Sequence, residues 1–461
     1  MSFSDLTFLF YFLPLFFAVY YLVPFRCKNA VLVLDSAACY LLGAGARDAL
    51  LLSAVLLLHY FLARLMVGRP PRMRKGLLAA ALSADLFCLV YFKYAAFFLE
   101  NWGKLTGQSF PLIKLVLPLG VSFYLFQSAG YLIDVCRGAA AEKNLVDFAA
   151  FTIAFPQLTM GPILRYDEWR GALKERTLSR EDAFLGFELF AVGLCFKVLL
   201  ADQLAPLWAS LERIGYGYLS TPLAWLGAAS YSLQLYFDFS GYSLMAMGLG
   251  QMLGLPVPRN FDLPYAARSV SEFYRRWHIT LGTWFRDYLY IPLGGSRRGK
   301  ARTALALTVV WFFTGLWHGA SWNFVLWGIV LLFFILLEKF CIGSFLKKHA
   351  LLSHLYLLFV IPPTWVIFRI TKLSDVGAYF SRLFPFFGTH SAVSAQDALK
   401  LLSSYWWLLL LGILFCLPQP RRFFEKHRGT PLIDLPLFVL FWVCVYFIAT
   451  SAGNAFLYSR F

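Results

Sequence analysis

From Thr303 to Leu337 the chain runs without an Asp, Glu, Lys or Arg, and the one ionisable side chain in that run is His318. A straight helix of this length would measure roughly 50 Å, against roughly 30 Å for the hydrocarbon core of a bilayer. The run is too long for one span and too short for two full spans with a turn. It predicts two short apolar helices meeting at a bend below the membrane surface, in GLWHGASWN, Gly315 to Asn323. Gly315, Gly319, Ala320 and Ser321 let backbones approach closely there, and His318, Ser321 and Asn323 bring hydrogen-bonding groups to membrane depth. Lipid offers such groups no partner, so they must face protein or water.

The rest of the chain is of the same kind. With 461 residues, 60% hydrophobic and 14% charged, it has too little polar surface to cover a soluble core. It reads as an all-α polytopic membrane protein in a lipid bilayer. Eight cysteines lie in or beside apolar runs without a CxxC pair, which predicts small buried hydrophobes rather than a disulfide frame or a metal site. The net charge of +16 sits in short loops between apolar runs, where the positive-inside rule accounts for it without nucleic acid.

In chain order, Leu6 to Val23 reads as a first span rather than a removed signal, since Asp5 precedes it and no small-residue cleavage site follows. Further spans are expected near 30–43, 48–67, 76–99, 111–136, 182–206, 223–254, 351–368, 405–418 and 436–450. The loop from Arg64 to Lys75 has five basic residues and no acidic one, and loop 255–302 has nine against three. Both are placed in the cytoplasm, which puts the amino terminus outside the cytoplasmic membrane. Segment 146–164, broken by Pro156, Gly161 and Pro162, is expected to be re-entrant. The total is roughly a dozen crossings plus re-entrant and interfacial helices, in a single domain over 1–461 without internal repeats.

Two further stretches carry polar chemistry. In residues 269–300, Ser269 and Glu272 form a capping-box pattern, while Phe273, Trp277, Leu281, Trp284 and Tyr288 recur at helical spacing. This predicts one basic amphipathic helix at the cytoplasmic interface, with His278 facing inward. Arg275 and Arg276 either hold the phosphates of an acyl donor or serve as topology signals that touch lipid headgroups. The other stretch, 230–250, sets Asp238 inside an apolar span, where a carboxylate is either part of a site or paired with an intramembrane Arg, Tyr or Ser.

The segments FPQLTMGPILRY, YFDFSGYS, EFYRRWHITLGTWFRDYLYIPLGG and TGLWHGASWNFVLWG, in this order, resemble the signatures of membrane-bound O-acyltransferases, especially the alginate O-acetyltransferase branch. The resemblance covers most of the chain and is most specific over 231–328. It implies a ring of membrane helices around a thin centre and a cytoplasmic funnel for an activated acyl donor, acetyl-CoA or another acyl thioester, with no bound cofactor. It also implies two functional histidines, matched here by His318 and His278. Departures at Leu244 and at Ile329 to Leu332 leave the acceptor open among alginate, another polysaccharide, peptidoglycan and a D-alanyl pathway.

The residues suit such a transfer. A hydroxyl attacks a thioester only as its proton is removed, and a buried neutral imidazole such as His318 can take it. Trp277 and Asp238 are candidates for substrate contact; Asn323, Trp317, Trp322 or the amides near Gly319 are candidate donors to the oxyanion. HExxH, GxSxG and GxxxxGK[ST] patterns are absent. An extracytoplasmic SGNH-type transferase is the expected acceptor-handling partner. The rival readings are a transporter or flippase, whose intramembrane His and Asp would serve a substrate path, and a scaffold that recruits a soluble transferase.

Overall fold

A computed structural model of the protein describes residues 3–110, 116–387, 394–450 and 456. All regular elements among them are helices, the form in which a single segment satisfies its own backbone hydrogen bonds inside lipid. Eight of the described helices are long and apolar enough to cross a membrane: Phe25–Ala44, Ala46–Met66, Pro71–Thr106, Arg180–Ile214, Trp322–Lys348, Ala350–Arg369, Gln396–Phe415 and Pro431–Thr450. The protein is a polytopic all-α membrane protein. The first expected span is a shorter apolar helix, Phe8–Leu22. The span expected at 111–136 is helical over Val121–Arg137, and its residues 111–115 lie outside the described residues, as does most of the carboxyl end NAFLYSRF. The span expected at 405–418 begins earlier, at Gln396. Its polar first turn is part of the helix because Asp397 accepts a hydrogen bond from the Ser220 hydroxyl at 2.6 Å.

By compactness the chain divides into residues 1–190 with 245–258, and residues 191–244 with 259–461. In the first unit the segment expected to be re-entrant holds one helix, Leu145–Ile153, followed by irregular backbone to Leu164. Nine residues rise only about 13 Å, less than half of a bilayer core. Its entry is pinned by Glu142, which accepts hydrogen bonds from the Lys143 and Asn144 amides at 2.7 and 2.8 Å, from Lys174 Nζ at 3.0 Å and from the Tyr166 hydroxyl. Burial alone would raise the Glu142 pKa, but these donors outweigh it and bring the carboxyl to about 2.

The second unit contains the uncharged run. It forms two helices, Lys300–His318 and Trp322–Leu337, joined by a three-residue turn at the expected bend. Glycine allows their contact: a Cβ on Gly315 would lie 2.5 Å from the Phe324 carbonyl oxygen, and one on Gly328 would lie 2.6 Å from that of Trp311. Asn323 closes the turn against a third helix, its Nδ2 donating to the Ile367 and Phe368 carbonyls at 3.1 and 2.9 Å.

The single helix expected over 269–300 is a correction. The helix Val270–Arg276 stops at Trp277, a second helix spans Ile279–Phe285, and a wide turn follows over Arg286–Tyr290. Residues 260–262 interrupt it by running antiparallel to 276–279: the Asp262 amide donates to the Arg276 carbonyl at 2.9 Å and the Ile279 amide to the Asn260 carbonyl at 3.0 Å. Two tertiary hydrogen bonds thus replace helical ones where the side-chain periodicity alone would have continued the helix.

Candidate functional site

The break sets His278 at φ 47° and ψ 53°, a left-handed conformation that costs a non-glycine residue roughly 1–2 kcal/mol. Such conformations persist only where the surroundings over-determine them, and they cluster at functional sites. Asn260 supplies that constraint. Besides its carbonyl bond to Ile279, its Oδ1 accepts from the Thr280 amide at 3.2 Å and the Thr280 hydroxyl at 3.0 Å. His278 is buried, its ring 4.8 Å from that of Phe239, and burial pushes its pKa down to about 3. It is a neutral imidazole at physiological pH.

His318 ends the helix Lys300–His318 at the bend. Its ring lies 5.1 Å from those of Trp327 and Phe368 and 5.0 Å from that of Trp317, which in turn is 5.6 Å from His278. One indole thus bridges the two histidines. Both line a single chamber of about 1090 Å³. Along the Lys300–His318 helix its wall runs from Leu307 to His318, a depth of roughly 16 Å at 1.5 Å per residue. The inner end is aromatic, with Trp277, Trp311 and Trp327 beside the histidines. The exposed part of the wall is charged: Arg268, Arg275, Arg286, Lys339 and Lys347 line the chamber together with Glu272 and the buried carboxylate of Glu338.

The structure therefore sorts the expected site residues. It brings together His318, His278, Trp277 and Arg275 in the chamber wall, with Trp317 packed against both imidazoles. Arg276 points elsewhere: its guanidinium pairs with Glu272 at 2.7 Å and reaches the Asp262 carbonyl. Asn323 lies at the bend with its Nδ2 donating to the Ile367 and Phe368 carbonyls. Trp322 is half exposed. Asp238 lies outside the chamber wall, buried and paired with Lys197 at 2.8 Å; the same ammonium reaches Asp202 at 2.8 Å. An Arg, Tyr or Ser was anticipated beside Asp238; among the described contacts it pairs with a lysine. Arg268, Arg286, Lys339 and Glu338 were missed because they are separated along the chain, and only the 255–302 charge excess hinted at two of them.

Residues 86–371 match the model of the MBOAT, membrane-bound O-acyltransferase, family. The chain is 36% identical to "Probable alginate O-acetylase AlgI" of Azotobacter vinelandii over 95% of its own length and 90% of the relative's. It is 28% identical to the peptidoglycan O-acetyltransferase of Helicobacter pylori over 100% of this chain and 98% of that one. A teichoic acid D-alanyltransferase of Streptococcus thermophilus is 31% identical over 46% of this chain. A family match over more than half of the sequence, with relatives aligned nearly end to end, makes this chain a member of the membrane-bound O-acyltransferase family and an O-acyltransferase.

Proposed function

We propose that the protein moves an acetyl group from a cytoplasmic acyl thioester, acetyl-CoA, toward a hydroxyl of an extracytoplasmic polysaccharide, with His318 as general base. The observation that carries this reading is the chamber, whose wall holds two buried histidines among aromatic rings and five exposed cations. An anionic carrier would rest its phosphates against Arg275, Arg268 and Arg286, which leaves the thioester reaching inward. The incoming hydroxyl oxygen bonds to the thioester carbonyl carbon as its proton passes to His318. The C–S bond then breaks, and the imidazolium returns the proton to the departing thiolate. His278, neutral and one indole away, orients the reacting groups and donates or accepts a hydrogen bond without changing charge.

The names of the relatives favour acetyl over D-alanyl transfer, since the acetylase matches run over most of the chain and the D-alanyltransferase match over less than half. An SGNH-type transferase outside the membrane is the proposed next carrier, and the cytoplasmic membrane with the amino terminus outside is the proposed location. The test is reconstitution in lipid nanodiscs with labelled acetyl-CoA on one face and deacetylated alginate oligomers, with and without such a partner, on the other. Label appearing as O-acetyl ester supports the reading. Passage of intact donor or acceptor without ester formation would favour a transporter.

A further inference from the structure

Glu338 has no part in the reaction just described, yet it is a buried carboxylate in the chamber wall with every sign of a mechanical task. It follows directly on the helix Trp322–Leu337, which starts four residues after His318. Its Oε1 accepts from the Val270 amide at 2.5 Å and the Tyr356 hydroxyl at 3.1 Å. Its Oε2 accepts from the Ser271 amide at 2.9 Å and the Ser271 hydroxyl at 2.6 Å. Val270 and Ser271 open the short helix whose other end delivers Trp277 and His278.

We infer that Glu338 is a positioning residue that fixes His278 relative to His318. The attachment acts through rigid pieces. The helix Trp322–Leu337 is locked to the His318 helix at Gly315 and Gly328 and to the Ile367 and Phe368 carbonyls through Asn323, so its far end is a fixed point. Glu338 ties the start of the Val270–Arg276 helix to that point, and Asn260 holds the backbone just after His278. The strained His278 conformation is thereby held from both sides. A carboxylate suits the first attachment because four donors converge on two oxygens, and charge-assisted hydrogen bonds are about twice as strong as neutral ones. An amide would offer one acceptor oxygen and present N–H groups to the Ser271 amide.

This inference rests on the proposed roles of the two histidines, and a displacement of ~1 Å in such a constellation can lower turnover about 10²-fold. The test compares Glu338→Gln, Glu338→Ala and the milder Ser271→Ala in nanodiscs, with labelled acetyl-CoA as donor and alginate oligomers as acceptor. The positioning role predicts a fall in kcat of about tenfold or more for Glu338→Gln, a change in the KM for acetyl-CoA of less than about threefold, and a smaller kcat loss for Ser271→Ala. It also predicts that the double variant is no worse than Glu338→Gln alone, because both remove one attachment. Loss through KM, or additive losses in the double variant, would overturn it. Should Glu338→Ala fail to fold, Ser271→Ala and Glu338→Gln still decide. His318→Gln and His278→Ala run in parallel separate the two failures: normal transfer in those variants refutes the histidine reading, whereas their inactivity beside a fully active Glu338→Gln refutes only the attachment.

Discussion

Arg275 and Arg276 are neighbours in sequence with different surroundings. Arg275 is exposed in the chamber wall, while Arg276 is paired with Glu272. Arg275→Gln should raise the KM for acetyl-CoA about 3- to 10-fold at low salt, with the effect shrinking as ionic strength rises, since exposed charges are screened. Arg276→Gln should leave that KM within twofold and instead lower the melting temperature. Steady-state kinetics at two salt concentrations distinguishes the two; equal KM shifts would contradict the assignment. His278 gives a second test at this scale. Its pKa falls from 6.5 to about 3 on burial, so between those values the unfolded chain binds a proton that the folded chain does not. Folding stability should therefore be full above pH 6.5 and decline as pH falls toward 3, by at most about 1.4 kcal/mol per pH unit from this group. His278→Gln should flatten the fall in melting temperature between pH 7 and pH 5 measured in detergent, and an unchanged slope would mean that the imbalance arises elsewhere.

Among the helices, the crossing at Gly315 and Gly328 is where the backbone of the His318 helix and that of its neighbour come close. A methyl group on Gly328 would meet the Trp311 carbonyl oxygen at 2.6 Å, closer than a methyl carbon can approach an oxygen, and the obstacle is backbone. Gly328→Ala should destabilise by about 1–3 kcal/mol and reduce transfer, the cost of overpacking a rigid contact. Gly171→Ala is the control, because nothing lies within 4 Å of the added carbon; inside its helix it should raise stability slightly, by up to about 1 kcal/mol, and leave transfer unchanged. The helix Pro418–His427 bears on topology. Arg421 reaches Asp262 at 2.5 Å and Glu425 reaches Arg259 at 3.3 Å, which joins this helix to the basic 255–302 loop. Both must then lie on the same face of the membrane. Cysteines placed at Arg422 and Arg298 should be labelled from the same side in intact cells and inverted vesicles; labelling from opposite sides would contradict the fold here.

For the molecule as a whole, what the sequence disclosed followed from how local each cause is. The two helices over 303–337 were legible because uncharged length against bilayer thickness leaves few alternatives. The Ser269 cap was legible because its partner amide is three residues away, and the Ser269 hydroxyl accepts from Glu272 N–H at 3.0 Å. The break at Trp277 and His278 was not, because it is imposed by residues 260–262 across an antiparallel contact while the side-chain pattern stays helical. Asp238 remained ambiguous for the same reason, its Lys197 partner being 41 residues upstream. Among the oxyanion candidates, the bonds of the Asn323 amide were not legible either, because its acceptors, the Ile367 and Phe368 carbonyls, lie more than forty residues away along the chain. Motif order located the chamber's histidines, but only the packed structure located the cations and the Glu338 attachment around them.

In the proposed reaction, acyl transfer depends on proton removal by His318 in the chamber wall. Single-turnover transfer from labelled acetyl-CoA by His318→Gln tests it most directly, because the amide keeps a hydrogen-bonding side chain of similar reach but cannot take a proton. A general-base role predicts an inserted, monodisperse protein whose transfer rate has fallen by at least ~10²-fold, the usual contribution of such a group. A rate within a few-fold of the parent protein would contradict it and place the chemistry outside this chamber.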